Sequence, residues 1–169
     1  MSMAAVLKAA RDKLRTDLPI PNGQPPKLYV GIQPGLGVPK SKGQWYVAID
    51  EAGVASTEKV SLKEEFTIDV KIVKDAGRYA ADQMEQMYLD HSPGLDELER
   101  QVIRSLHNNH ELRRMMNENA GAPGVNDGDI FQSPIWYRGR GRSTYGDLSL
   151  ERTLSFGGAR RVQAVDVMN

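Results

Sequence analysis

The stretch VSLKEEFTIDVKIV, residues 60–73, constrains the fold more than any other part of the chain. Every second residue reads Val60, Leu62, Glu64, Phe66, Ile68, Val70 and Ile72. Between them stand Ser61, Lys63, Glu65, Thr67, Asp69 and Lys71, with Val73 closing the run. Successive side chains of a strand point to opposite faces, so the alternation predicts a long strand with one buried face. Glu64 is the one polar residue of the apolar set. The other face carries both signs of charge and is expected to be wet or to meet a polar partner. Such a strand needs neighbours beside it and a cover over its apolar side.

The rest of the chain supplies both. Residues 3–18 read as an amphipathic helix with Met3, Val6, Leu7, Ala10, Leu14 and Leu18 on one side, ended by Pro19 and Pro21. Residues 27–33 read as a strand with Leu28, Val30 and Ile32 on one face. Residues 44–50 read as another, with Trp45, Val47 and Ile49 set against Tyr46 and Ala48, and Glu51-Ala52-Gly53 as the turn after it. Beyond residue 77 the period becomes helical: Tyr79, Ala80, Gln83, Met84, Met87 and Tyr88 share a predicted face. Ser92 and Pro93 suit the start of a further helix, reaching about residue 119, with Leu95, Leu98, Val102, Leu106 and Arg113 along one side.

The tail returns to strands. Pro134 restricts residues 130–137 to an edge or bulged strand. In 148–156 the apolar set Leu148, Leu150, Leu154 and Phe156 is interrupted by Arg152. Gly157-Gly158 reads as a turn before a last strand at 161–167. The order α-β-β-β-α-α-β-β-β, with strands and helices in blocks, predicts an α+β fold: a largely antiparallel β-sheet packed on one face by two or three helices. One domain over residues 1–169 is expected, with mobile loops near 34–43, 120–129 and 138–147.

Charge narrows the function classes. The chain holds 22 basic and 22 acidic residues, unlike the basic excess of a dedicated nucleic-acid binder. The distribution is uneven: residues 30–129 hold eleven basic and seventeen acidic groups, residues 130–169 six and three. Opposite-signed regions on a neutral chain favour head-to-tail self-association. With no cysteine, disulfides, thiolate zinc sites and thiol catalysis are excluded, which fits a cytosolic or virion protein. The N-terminal stretch lacks the apolar core of a signal peptide, and no run approaches a membrane span.

Candidate motifs are few. Gly31, Gly35 and Gly37 have no Gly-Lys-Ser/Thr after them and read as a flexible connection rather than a phosphate loop. His107 and His110, three apart on the expected long helix, share a side but lack a third ligand nearby; His110 reads as partly buried and His107 as a surface residue. Residues 126–129 (NDGD) lack the spacing and terminal glutamate of a calcium loop and read as a turn. No nucleophile motif or carboxylate pair points to an enzyme, and neither cofactor nor metal is implied. The most distinctive polar feature is Arg138, Arg140 and Arg142. In an extended segment these three point the same way and form a basic row. The row reads either as a solvated loop tip or as a contact to a neighbouring subunit's acidic surface or to DNA.

The layout carries a family resemblance. A leading helix ends near Leu18-Pro19. A short strand holds Tyr29-Val30-Gly31, and WYVAIDEAGV forms a hairpin arm. A long alternating strand runs into a helix, and the C-terminus returns to β. This succession resembles the tail-terminator (tail-completion) proteins of tailed bacteriophages, or another neck or head–tail joining protein. The resemblance implies a structural virion protein at the tail–neck region, assembled in the host cytoplasm. It implies a closed ring, hexameric by expectation, that caps the tail tube, stops its polymerisation and joins it to the head connector. The implied partners are the chain itself, the tail tube protein and a connector or neck protein, with DNA passing through without sequence-specific binding, and no membrane. Beside the arginines, Lys63, Glu65, Asp69 and Lys71 on the polar strand face are candidates for subunit or channel contact. The alternative of another class is a nucleic-acid-binding module using the loop at 138–142.

Overall fold

The computed structural model describes residues 3–18, 27–30, 45–56, 63–75, 94–121, 131–146 and 149–161. The elements in chain order are α1 (Ala4–Asp17), β1 (Lys27–Val30), β2 (Trp45–Ser56), β3 (Lys63–Asp75), α2 (Leu95–Leu106), α3 (His110–Asn119), β4 (Trp136–Arg140), β5 (Thr144–Gly146) and β6 (Ser149–Arg161). The fold is α+β, as the block order predicts.

The sheet runs β1-β2-β3-β6-β4, with β5 also paired to β6. All pairings are antiparallel except β1 with β2, which is parallel. The alternating strand lies centrally. Phe66, Ile68, Val70 and Ile72 are buried beneath the helices together with Val47 and Ile49 of β2 and Leu150, Leu154 and Phe156 of β6. α1 contributes Val6, Leu7, Ala10 and Leu14; α2 contributes Leu95, Leu98, Val102 and Leu106. α1 lies against β1 and β2, and α2 against β3 and β4. Burial of these side chains is the main stabilising term, at about 1.5–3 kcal/mol for each large aliphatic or aromatic residue.

Several expectations are corrected. Glu51-Ala52-Gly53 is not a turn: β2 continues through it, and a register shift between Glu51 and Gly53 marks a bulge. Gly157-Gly158 is not a turn either, because β6 runs through both. These glycines lie in the strand because neighbours occupy their Cβ space. A Cβ on Gly157 would overlap the Arg138 guanidinium, and one on Gly158 would stand 2.6 Å from Phe66 Cζ. Residues 138–147 are not a free loop: β4 and β5 both pair with β6, and Gly141 N–H donates to Thr153 O at 3.1 Å between them.

The long helix is two helices. Asn108 adopts φ 47°, the left-handed region that asparagine tolerates. Asn109 then caps α3, its side chain accepting from Leu112 N. The break re-phases the chain. At about 100° per residue, an unbroken helix would place Leu112 roughly 240° around from Leu106, yet both are fully buried. The expected helix at 78–91, the loop at 34–43, residues 122–130 and the strand at 161–167 beyond Arg161 lie outside the described residues.

Candidate interaction surface

The two charges that interrupt the apolar strand patterns are both paired. Glu64 stands directly opposite Arg160 in the β3–β6 register and accepts from its Nε at 2.9 Å and Nη2 at 2.8 Å. Arg152, fully buried on β6, donates from Nη1 to Asp96 Oδ1 at 2.6 Å and to Glu99 Oε2, and from Nε to Ser143 Oγ at 2.8 Å. Both acids come from the first turns of α2, so the ion cluster fixes that helix to the sheet.

Burial pulls the Arg152 guanidinium below its ordinary value and pushes the Glu99 carboxyl above its own. The two groups are in direct contact, so each buried charge has an opposite charge beside it. Arg140 and the Tyr137 hydroxyl also draw Glu99 back toward the carboxylate, with Arg140 Nε 2.9 Å from Glu99 Oε1. Burial and the Glu99 charge raise Tyr137 in turn.

The arginine row is broken at its second member. β4 carries a register shift between Tyr137 and Gly139, and Gly139 has φ 141°. Arg138 therefore falls in a bulge. Its guanidinium lies over Gly157, on the face away from the helices. Arg140, opposite Leu154, turns to the helix side and reaches Glu99. Arg142 is exposed in the short link before β5. Equal spacing along a regular strand would have aligned all three; the bulge resets the alternation. At this edge stands Trp136, half exposed, its ring edge-on to His107 with centroids 5.1 Å apart.

The histidine expectations reverse. His107 is half-buried and its Nδ1 accepts from Tyr137 N at 2.9 Å, whereas His110 is exposed at the start of α3. The helix break separates them, and among the described residues no three His, Cys, Asp or Glu side chains group as metal ligands. The NDGD stretch lies outside the described residues.

The sheet face opposite α1 and α2 carries Lys63, Glu65, Asp69 and Lys71 as expected. Lys63 and Glu65 are exposed, and Lys63 pairs in register with Arg161. Lys71 lies 3.8 Å from Glu151. Asp69 accepts from Ser155 Oγ at 3.0 Å and stands directly opposite Asp50 of β2. The polar character stops at one end. Val73, Tyr46 and Ala48 share this face and are buried, with Tyr29 edge-on to Tyr46 at 5.7 Å. Sequence reading missed Asp50 and Trp136 as surface features. Asp50 reads as a turn residue until β2 is seen to continue past it.

No protein-family model matches this chain, and no curated protein does. No helix among the described residues is long and apolar enough to cross a membrane.

Proposed function

We propose that the chain is a structural virion protein of the tail-terminator kind. It forms a closed ring that caps the tail tube, stops tube growth and joins the tube to the head connector. The observation carrying this reading is the asymmetry of the sheet. One face is covered by three helices, and the charges beneath them are paired within the chain. The other face and the β4 edge present Glu65, Arg138, Arg142 and Trp136 as exposed side chains. A subunit that works through neighbours and through partners above and below needs open, polar contact surfaces with aromatic and arginine anchors. DNA passes through such a ring without being held, and a neutral chain suits that role.

The rival reading, a nucleic-acid-binding module on Arg138, Arg140 and Arg142, has less support. Glu99 engages Arg140, and Asp69 and Glu65 lie on the face that Arg138 occupies. The test is native mass spectrometry and negative-stain imaging of the full chain, alone and with purified tail tubes. Closed rings and capped tubes are expected. A strictly monomeric protein that also leaves tubes uncapped overturns the proposal.

A further inference from the structure

Charge pairing among the described residues is uneven between the two faces. Toward the helices the charges are paired: Arg152 with Asp96 and Glu99, Arg140 with Glu99, Arg160 with Glu64. On the opposite side Lys71 lies near Glu151, but Asp50, Glu65 and Asp69 form no ion pair among the described residues, and neither do Arg138 and Arg142. Asp50 and Asp69 stand directly opposite in the β2–β3 register, an arrangement that destabilises an antiparallel pair. Their donors in the described residues are neutral, the Glu51 amide at 2.9 Å and the Ser155 hydroxyl at 3.0 Å. Two strands from Asp69 and three from Asp50, the β4 edge presents Trp136, 50% exposed and the one large apolar side chain so exposed among the described residues, beside Arg138.

We propose that the Trp136–Arg138–Arg142 edge of one copy docks on the Asp50–Asp69 surface of a second copy. The inference rests on the ring reading above and names its subunit contact. Tryptophan and arginine are the side chains that most often anchor interfaces, and the facing aspartates supply the negative surface that two unpaired guanidinium groups fit. The occupant is a second copy because one chain carries both complements and is neutral overall. A nucleic acid lying across the same face would also meet the carboxylates of Asp69 and Glu65, two strands from the edge. Every copy offers one of each surface, so when a copy engages two neighbours the contact is heterologous, and repetition closes a ring or grows a filament.

Charge reversal tests it on the full chain. One variant carries Arg138→Glu and Arg142→Glu; a second carries Asp50→Lys and Asp69→Lys. Arg138 and Arg142 are exposed, the Arg138 guanidinium lying over Gly157, and circular dichroism melts verify that both variants fold. Sedimentation velocity should show each variant losing self-association at least tenfold relative to wild type, and wild-type assemblies loosening as salt rises. Mixing the two variants, or combining all four changes in one chain, restores the assemblies, because each altered surface again finds an opposite charge. If both variants assemble as wild type does, this contact is overturned while the ring reading stands. If wild type itself stays monomeric with and without tail tubes, both fall.

Discussion

Asn117 and Phe131 exchange two hydrogen bonds, the asparagine Nδ2 donating to Phe131 O at 3.0 Å and its Oδ1 accepting from Phe131 N at 2.9 Å. A buried side-chain amide thus stands in for a missing strand neighbour. It seats Phe131 against Phe66, edge-on with centroids 6.0 Å apart, and leads the chain into β4. Asn117→Ala leaves two buried main-chain groups without that partner. Phe131 O keeps Arg113 Nη1 at 3.4 Å, so the main loss is at the N–H, about 1–3 kcal/mol for an unsatisfied buried group, and for a chain of this size each kcal/mol lowers Tm by about 2–4 °C. Differential scanning calorimetry checks it; an unchanged Tm would show that the clamp contributes nothing.

Arg152 is expected to be far more damaging to lose alone than together with its partner. Arg152→Met leaves Glu99 buried beside only Arg140, and breaking a buried pair costs about 3–5 kcal/mol. Adding Glu99→Leu removes the stranded carboxylate and should recover most of that loss. Urea denaturation of the single and double variants measures the difference, and equal stabilities would contradict the coupling.

The two adjacent glycines of β6 should respond differently to alanine. Gly158→Ala drives a methyl into the buried Phe66 ring, 2.6 Å away, with Ile135 Cγ2 at 3.1 Å on the other side; overpacking of this kind costs about 1–3 kcal/mol. Gly157→Ala meets only the flexible end of Arg138, which can swing away, so stability should change by about 0.5 kcal/mol or less. The same swing displaces an arginine of the proposed subunit contact, so Gly157→Ala should weaken self-association while leaving the melting curve in place.

The pH dependence of stability has an identifiable source where the three helices meet. Burial pushes the Asp17 carboxyl up, but hydrogen bonds from Lys13 and Ser105 outweigh it and hold the group below its ordinary 3.8. Ser105 Oγ donates at 2.6 Å and Lys13 Nζ lies at 2.8 Å. A carboxylate depressed in the folded state contributes stability above its unfolded value, and that contribution is lost as pH falls through the folded value. Lys13 is raised above 10.5 by its hydrogen bond to Asp17, so its share is lost as pH rises past that point. Asp17→Asn should lower Tm at neutral pH and flatten the decline below pH 3.8. A variant whose acid limb parallels that of wild type would assign the dependence elsewhere.

Fold class was legible in the chain because it depends on local periodicity. Alternation in β3 and the apolar stripe of α1 survive in the structure with Phe66, Ile68, Val70, Ile72, Val6, Leu7, Ala10 and Leu14 buried as their spacing dictates. Even the exceptions were visible, since Glu64 and Arg152 stood out as polar residues on apolar faces. Their partners were not. Arg160 lies 96 residues from Glu64, and Asp96 and Glu99 lie 56 and 53 residues from Arg152.

What local pattern could not carry were contacts set by distant neighbours. Glycine pairs commonly mark turns, but Gly157 and Gly158 lie in a strand because Arg138 and Phe66 crowd their Cβ positions. His107-Asn108-Asn109 is compatible with a continuing helix. The break forms where Asn108 N–H reaches Ile135 O at 2.9 Å and Tyr137 N–H reaches His107. Three evenly spaced arginines suggested one row. The bulge at Gly139 turned Arg140 inward to Glu99 and laid Arg138 across the opposite face. Periodicity records which way a side chain leaves a regular backbone; where the backbone stops being regular is fixed by the packing around it.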